Sequence, residues 1–451
     1  MSGLAAAAKI DDASLQLDAA ESAAAIDGFV KCIQFPTVSG LGPENGSYAA
    51  MAEWLMGELR DAGVGQVQVL PDSVPGHPLV VGTIVGSQSE LPQLLLNAHY
   101  DVVPVVDVDW TVPPFAGMRK NGRVYGRGAQ DMKCVVVGYI HAIKKLLRSG
   151  FAPVRTVHFS FVPDEEIGGA QGMQVLLQSQ WYASLCIGLA LDEGLASEDD
   201  YYSVFYGERL PWWIKVKADG NTGHASRFIE DTAVSSVIEV VNRALRFREE
   251  QRVKLHGDPH SHKHEACSHS VAKKLGDVTS LNVTLLRAGM SAGGKDVLNV
   301  VPATAEAGFD IRISPTQPCG EVEALLDSWC EGVNAANGVC KISWRHENFA
   351  LSEHHTTSLT AENPWWEVFR HALYDDCGIC CRTEVFPAAT DSRFLRALGV
   401  KAMGFSPMRN SPILLHENDE YLDEAVFLEG VNVYVSLLRA LSQQTAFANE
   451  L

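Results

Sequence analysis

The sequence predicts an α/β protein with a mostly parallel central sheet and a smaller α+β domain inserted into it. Three observations carry that expectation. Apolar, strand-like runs alternate with helical patterns through the first half, as parallel strands joined by crossover helices require. The rhythm changes near residue 209 and returns near residue 352. At 451 residues the chain also exceeds the size at which one hydrophobic core usually stops growing.

The expected strands of the first half are "HPLVVGTIVG", "LPQLLLNAHY", "TVHFSFVPDEE" and "CIGLALDEG". Between the second and third lies "DMKCVVVGYIHAIKKLL", of helical length and with lysines near its end, where cations suit the helix dipole. From residue 209, "PWWIKVKADG" reads as a strand, and Val234, Val237, Ile238, Val241 and Leu245 mark one face of a helix. The strands "VTSLNVTLLRAG" and "ATAEAGFDIRIS", the helix "EVEALLDSWCEGV" and the strand "CKISWRH" follow, giving two strand-helix-strand passes. Helices at "PWWEVFRHAL" and "DEAVFLEGVNVYVSLLRAL" then complete the first domain. The expected division is residues 1–208 and 353–451 for the first domain and 209–352 for the insert.

A balance of 36 basic against 55 acidic residues gives a formal charge of −19, which repels phosphate backbones and anionic lipid. Nucleic acid is not an expected partner. Neither is a membrane, since no run of about 18 apolar residues is evident. "LAAAAKIDD" turns acidic too quickly for a signal peptide, so a cytoplasmic location is expected. Ten scattered cysteines suggest reduced core residues rather than a disulfide framework. Cys377, Cys380 and Cys381 in "CGICC" lack the second ligand pair of a zinc knuckle. The five histidines of "HGDPHSHKHEACSH", residues 256–269, read as a solvated loop.

Chemistry-bearing residues stand where the apolar runs end, the edge at which open α/β sheets bind ligands. In "LLLNAHYDVVPV", His99 and Asp101 lie two apart, so a strand directs both to one face and the carboxylate can fix the imidazole tautomer. Asp131 in "YGRGAQDMK" stands at a helix start, where it could also be a simple N-cap. "FVPDEEIGG" ends a buried run in three successive acids, which repel one another unless cations or protons intervene. "LALDEG" repeats the arrangement with Asp192 and Glu193, and "PILLHENDE" sets His416 after an apolar run. Five ends carrying His, Asp, Glu, Glu and His suit two zinc ions. Two Zn²⁺ against three carboxylates and a bridging hydroxide are neutral, and a bridging Asp131 with a shared water gives each ion four ligands. This reading chooses neither between Asp192 and Glu193 nor between Glu165 and Glu166.

"NAHYDVVPV", "GRGAQDMK", "FVPDEEIGG", "LALDEG", "GNTGHASRF" and "PAATDSRF", in that order, resemble the di-zinc amidohydrolase and metallopeptidase family. That family holds the aminoacylases, acetylornithine deacetylase, succinyl-diaminopimelate desuccinylase and glutamate carboxypeptidases. The similarity runs from about residue 25 to 440, and "PWWIKVKADGNTGHASRF" and "NPWWEVF" draw the chain toward the aminoacylase branch.

The resemblance implies a zinc-dependent exopeptidase-like catalytic domain with an inserted lid and dimerisation domain, and hydrolysis of N-acyl-L-amino acids by a homodimer holding two zinc ions per subunit. It implies that His99 and Glu193 hold one zinc, Glu166 and His416 the other, and Asp131 both. Glu165 is then the general base, with Asp101 in support, and His224 of the partner subunit stabilises the oxyanion. Asn299, Arg312 and Thr390 match substrate-holding positions, with Arg312 suited to a carboxylate. A dipeptidase or carboxypeptidase, or a noncatalytic binder on the same fold, are the alternative functions. The histidine-rich stretch and roughly twenty N-terminal residues exceed the family pattern.

Overall fold

The structure is a computed structural model and describes residues 15–256, 274–336, 338–348, 351–448 and 450. The N-terminal extension up to residue 14 lies outside the described residues, as does the histidine-rich stretch beyond His256. The chain divides into two compact units. One comprises residues up to Tyr206 with Thr357–Thr383 and Thr390–Leu451; the other comprises Gly207–Thr356 with Glu384–Ala389. The short return at 384–389 has no signal in the sequence.

The first unit is built on an eight-stranded sheet. Its order is Gln68–Val69, Val80–Ile84, Val157–Val162, Gln93–His99, Ile187–Asp192, Lys401–Gly404, Tyr202–Glu208 and Cys381–Phe386. The four strands from Val157–Val162 to Lys401–Gly404 run parallel, and antiparallel pairs flank them. The central strands are buried at nearly every position instead of every second one, as strands covered on both faces are, and this extends to the polar Asn97, His158 and Ser160.

The helix Lys133–Arg148 is buried along most of its length from Lys133 to Ile143. It packs against Ala19–Ile33 and Glu424–Ser442. Tyr139 and Tyr434 meet edge to face with centroids 4.7 Å apart, and Phe29 stacks on Phe427 at 4.6 Å. Gly138 permits that approach, because a Cβ there would stand 3.1 Å from the Tyr434 ring. One sequence expectation fails here. By length and composition Glu424–Ser442 is apolar enough to cross a bilayer; Phe427, Val431, Tyr434, Leu438 and Leu441 are buried in the core of this unit. None of the nine described cysteines is paired, and Cys377, Cys380 and Cys381 form a turn leading into the Cys381–Phe386 strand.

The second unit is a four-stranded antiparallel sheet in the order Ser280–Ala288, Thr304–Ile313, Leu210–Asp219, Lys341–His346. With helices Ala233–His256 and Cys319–Ala336 it follows the split βαβ, ferredoxin-like pattern. Along Leu210–Asp219, buried Trp212, Ile214, Val216 and Ala218 alternate with Trp213, Lys215, Lys217 and Asp219, the period of two that a half-covered sheet demands. The helix face differs from the sequence reading: Ile238 and Leu245 are exposed, while Ala233, Val237, Val240, Ala244 and Phe247 are buried. The buried set includes two alanines, which carry too little hydrophobicity to mark a face on their own. Val240→Asp is therefore expected to cost about 3 kcal/mol or more, as an unpaired buried carboxylate does, and Ile238→Asp no more than about 0.5 kcal/mol. Urea unfolding measures both, and equal losses would contradict this assignment of faces.

Candidate metal centre

All five ligand candidates lie in the first unit, around the ends of the parallel strands. His99 is the last residue of its strand. Glu165 and Glu166 open a short turn after Val157–Val162, entered through Asp164 with φ 62°. Glu193 follows Ile187–Asp192, and Gly194 lets the chain turn there: a Cβ would meet the Ser406 amide nitrogen at 2.8 Å. Asp131 stands just before the Lys133–Arg148 helix, whose N-terminus has no side-chain cap, so capping does not explain it. His416 sits in a turn with φ 61° and is half-exposed.

The buried Asp131 carboxylate lies between two imidazoles. Its Oδ1 is 3.1 Å from His99 Nε2 and its Oδ2 3.2 Å from His416 Nε2. Glu193 Oε2 stands 3.7 Å from His99 Nε2, and Glu166 Oε2 3.1 Å from His416 Nε2. The result is two groups of three, His99–Asp131–Glu193 and Asp131–Glu166–His416, each with its ligand atoms within 4.8 Å of one another. They share one carboxylate.

The electrostatics show what such a cradle lacks. Burial pushes Glu193 and Glu165 well above the usual carboxylate range and Glu166 up to about 7, and neighbouring acids add to each. Burial would do the same to Asp131, but the two histidines outweigh it and hold that carboxyl well below its ordinary value. Glu166 Oε1 is buried without a hydrogen-bond partner. Desolvated acids with an orphan oxygen fit divalent cations, which would supply the missing positive charge and the missing bond.

Among the acids the sequence left open, Asp192 turns away from the groups of three, accepting from Asn97 Nδ2 at 3.1 Å and from the Ser392 hydroxyl at 2.8 Å. Asp164 accepts from the Tyr48 hydroxyl and lies 3.1 Å from His77 Nε2. Glu165 belongs to neither group, and its nearest described cation is Arg393, 3.5 Å away. Asp101 lies just beyond the strand end rather than on it, and it is the Asp101 backbone carbonyl that approaches His99 Nδ1 most closely, at 3.0 Å. Its carboxylate is 3.4 Å from that nitrogen and also accepts from the backbone N–H groups of Glu165 and Glu166, at 3.2 and 3.3 Å. Asp101 thus ties the His99 strand to the Glu165–Glu166 turn, a double role that strand periodicity did not reveal.

Thr390 is buried in the same unit, its hydroxyl accepting from the Ser392 N–H at 3.3 Å. His224, Asn299 and Arg312 belong to the second unit. His224 Nδ1 lies 2.8 Å from the Ser226 hydroxyl and 3.2 Å from the Ser226 N–H. The Asn299 carbonyl accepts from the Ala225 N–H at 2.9 Å, and Arg312 forks onto Asp310 at 2.7 and 3.0 Å. Sequence reasoning passed over Arg127, Gln130, Arg393 and Glu420, although Arg393 lies inside "PAATDSRF" and Glu420 inside "PILLHENDE".

The profile described as "Peptidase family M20/M25/M40" matches residues 95–440. Aminoacylase-1 from Sus scrofa is 41% identical over 421 residues, which is 92% of this chain and 96% of the pig protein. Among solved structures, an M20 family metallo-carboxypeptidase from Sulfolobus solfataricus superposes with a TM-score of 0.68 at 17% identity, covering 94% of this chain and all of the other. A dinuclear metal-binding peptidase of the M20 family from Bacillus subtilis gives 0.64 at 15% identity, covering 94% of this chain and 99% of its own. These two likenesses concern the fold.

Glu193→Ala is expected to lower the metal content from about two ions per chain toward about one, because an ion left with two protein ligands is weakly held. Asp192→Asn should leave the content unchanged. Elemental analysis after dialysis decides, and equal losses in the two variants would contradict the placement of Glu193.

Proposed function

This chain belongs to peptidase family M20/M25/M40, and on that premise we propose that it is a metal-dependent amidohydrolase converting N-acyl-L-amino acids into a carboxylate and a free L-amino acid. The observation that carries the reading is a pair of ligand groups joined by one carboxylate, with the buried Glu165 outside both. A binding protein would have no use for a fourth acid, one that belongs to neither ligand group. The 41% identity to Aminoacylase-1 over nearly the whole chain favours the N-acyl-amino acid over a peptide substrate.

Zinc is the proposed ion, held by His99, Asp131 and Glu193 on one side and Asp131, Glu166 and His416 on the other. When bound, a pair of such ions lowers the pKa of a shared water and polarises the acyl carbonyl. The remaining steps belong to the protein. Glu165 takes the proton from the attacking water and returns it to the leaving amine nitrogen. Asp101 holds the Glu165 backbone in place. His224 of the partner subunit donates its Nε2 proton to the developing oxyanion, with Ser226 engaging the ring at the other nitrogen, Nδ1. Arg312, its plane set by Asp310, takes the substrate carboxylate on its other edge, and Asn299 and Thr390 hold the rest of the substrate.

The proposed assembly is a homodimer through the second unit, where Phe228, Leu286 and Leu298 are exposed apolar residues. A cytoplasmic location is in keeping with the unpaired cysteines.

Glu165→Gln should retain its metal and lose about 10²- to 10⁴-fold in kcat on N-acetyl-L-methionine; wild-type turnover would remove Glu165 as the base. Faster hydrolysis of dipeptides than of acetylated amino acids by the wild type would redirect the substrate assignment. His224→Ala should lower kcat more than it alters KM. Mixed with Glu165→Gln protein, it should regain activity in about a quarter of the sites, since half of randomly paired dimers are mixed and each has one intact site. Silence after demonstrated subunit exchange counts against the cross-subunit role.

A further inference from the structure

The centre described above rests on a second set of buried polar groups. Glu420 is fully buried, and its Oε2 accepts from Arg127 Nη1 and from the Gly128 N–H, both at 3.0 Å. Its Oε1 accepts from the Gln130 N–H at 2.6 Å and the Asp131 N–H at 3.4 Å. Arg127 carries the connection onward to the histidine-bearing loop, donating to the Glu417 carbonyl at 3.0 Å and to the His416 carbonyl at 3.2 Å. Gln130 spans the same gap. Its Nε2 donates to the carbonyls of Pro412 and Tyr421, at 3.0 and 2.9 Å, and its Oε1 accepts from the Leu414 N–H at 3.0 Å.

The ligands differ in how their backbones are held. His99 ends, and Glu193 directly follows, a strand that has a neighbour on each side. His416 lies in an irregular, left-handed turn, and such a segment keeps its position only through bonds of this kind. A buried ion pair such as Arg127–Glu420 contributes little net stability, because desolvation offsets its attraction; its better-attested effect is to fix register.

We propose that Arg127, Gln130 and Glu420 are positioning residues that set the separation of Asp131 and His416, and so govern the affinity of the Asp131–Glu166–His416 metal position ahead of the other. The inference rests on the two-metal reading above. Its test is titration of the metal-free, full-length protein with Co²⁺ or Zn²⁺ by calorimetry. Wild type should take two ions. Arg127→Met with Glu420→Gln, which removes both buried charges together, should keep one ion at the wild-type affinity and weaken the second about 10- to 100-fold, with thermal unfolding of the metal-free protein little changed. Gln130→Met, which leaves the ion pair intact, should show the same selective weakening, and it decides the matter if the double variant does not fold. Two ions bound as in wild type, or a parallel weakening of both, overturns the inference. Failure of the wild type to take two ions overturns the metal reading itself, and the inference with it.

Discussion

The constraint on which the rest of the structure depends is the Asp131 carboxylate shared between His99 and His416. It brings two halves of the cradle together, and it does so inside a hydrophobic unit, where unpaired charge is costly. Glu165, Glu166 and Glu193 are all raised by burial and by neighbouring acids, Asp131 and Asp391 among them, and among the described residues the nearest cation to Glu165 is Arg393. Such a cluster persists only if something positive completes it. Divalent ions do so with fewer atoms than a set of arginines would, and they leave positions open for chemistry.

The scaffold answers the demand for precision. Parallel strands that end together deliver His99, the Glu165–Glu166 turn and Glu193 to one edge of the sheet. The strands behind them have a neighbour on each side, and the ligands stand where that pairing runs out. Asp101 joins two of those ends through its carboxylate, and Asp192 anchors a third by binding Asn97 and Ser392. Asp131 and His416 come from loops instead, and loops need their own bonds to hold a geometry. Arg127, Gln130 and Glu420 supply them. The centre thus combines ligands fixed by the sheet with ligands fixed by a polar clamp.

Much of this was legible in the sequence, for identifiable reasons. The central strands are predominantly apolar and carry no acid before their ends, so the acids placed there stand out. Alternation along 210–219 exposed the sheet of the second unit equally well. What was hidden depends on direction rather than composition. No pattern distinguishes Asp192 from Glu193, because adjacent residues past a strand end can turn either way until Gly194 and Ser406 set the path. Val240 and Ala244 lost to Ile238 and Leu245 in the helix reading because the bulkier residues dominate a hydrophobic pattern even when they face outward. Glu420 stands in an acidic run, and nothing in that run shows that it is buried or that its partner is Arg127, almost 300 positions away.

The central claim is that one carboxylate holds two cations, and anomalous diffraction from crystals of the full chain grown with zinc tests it most directly. Two peaks about 3.5 to 4 Å apart should flank Asp131, one beside His99 and Glu193 and the other beside Glu166 and His416. A map without peaks there, or with a single peak remote from Asp131, would contradict the account.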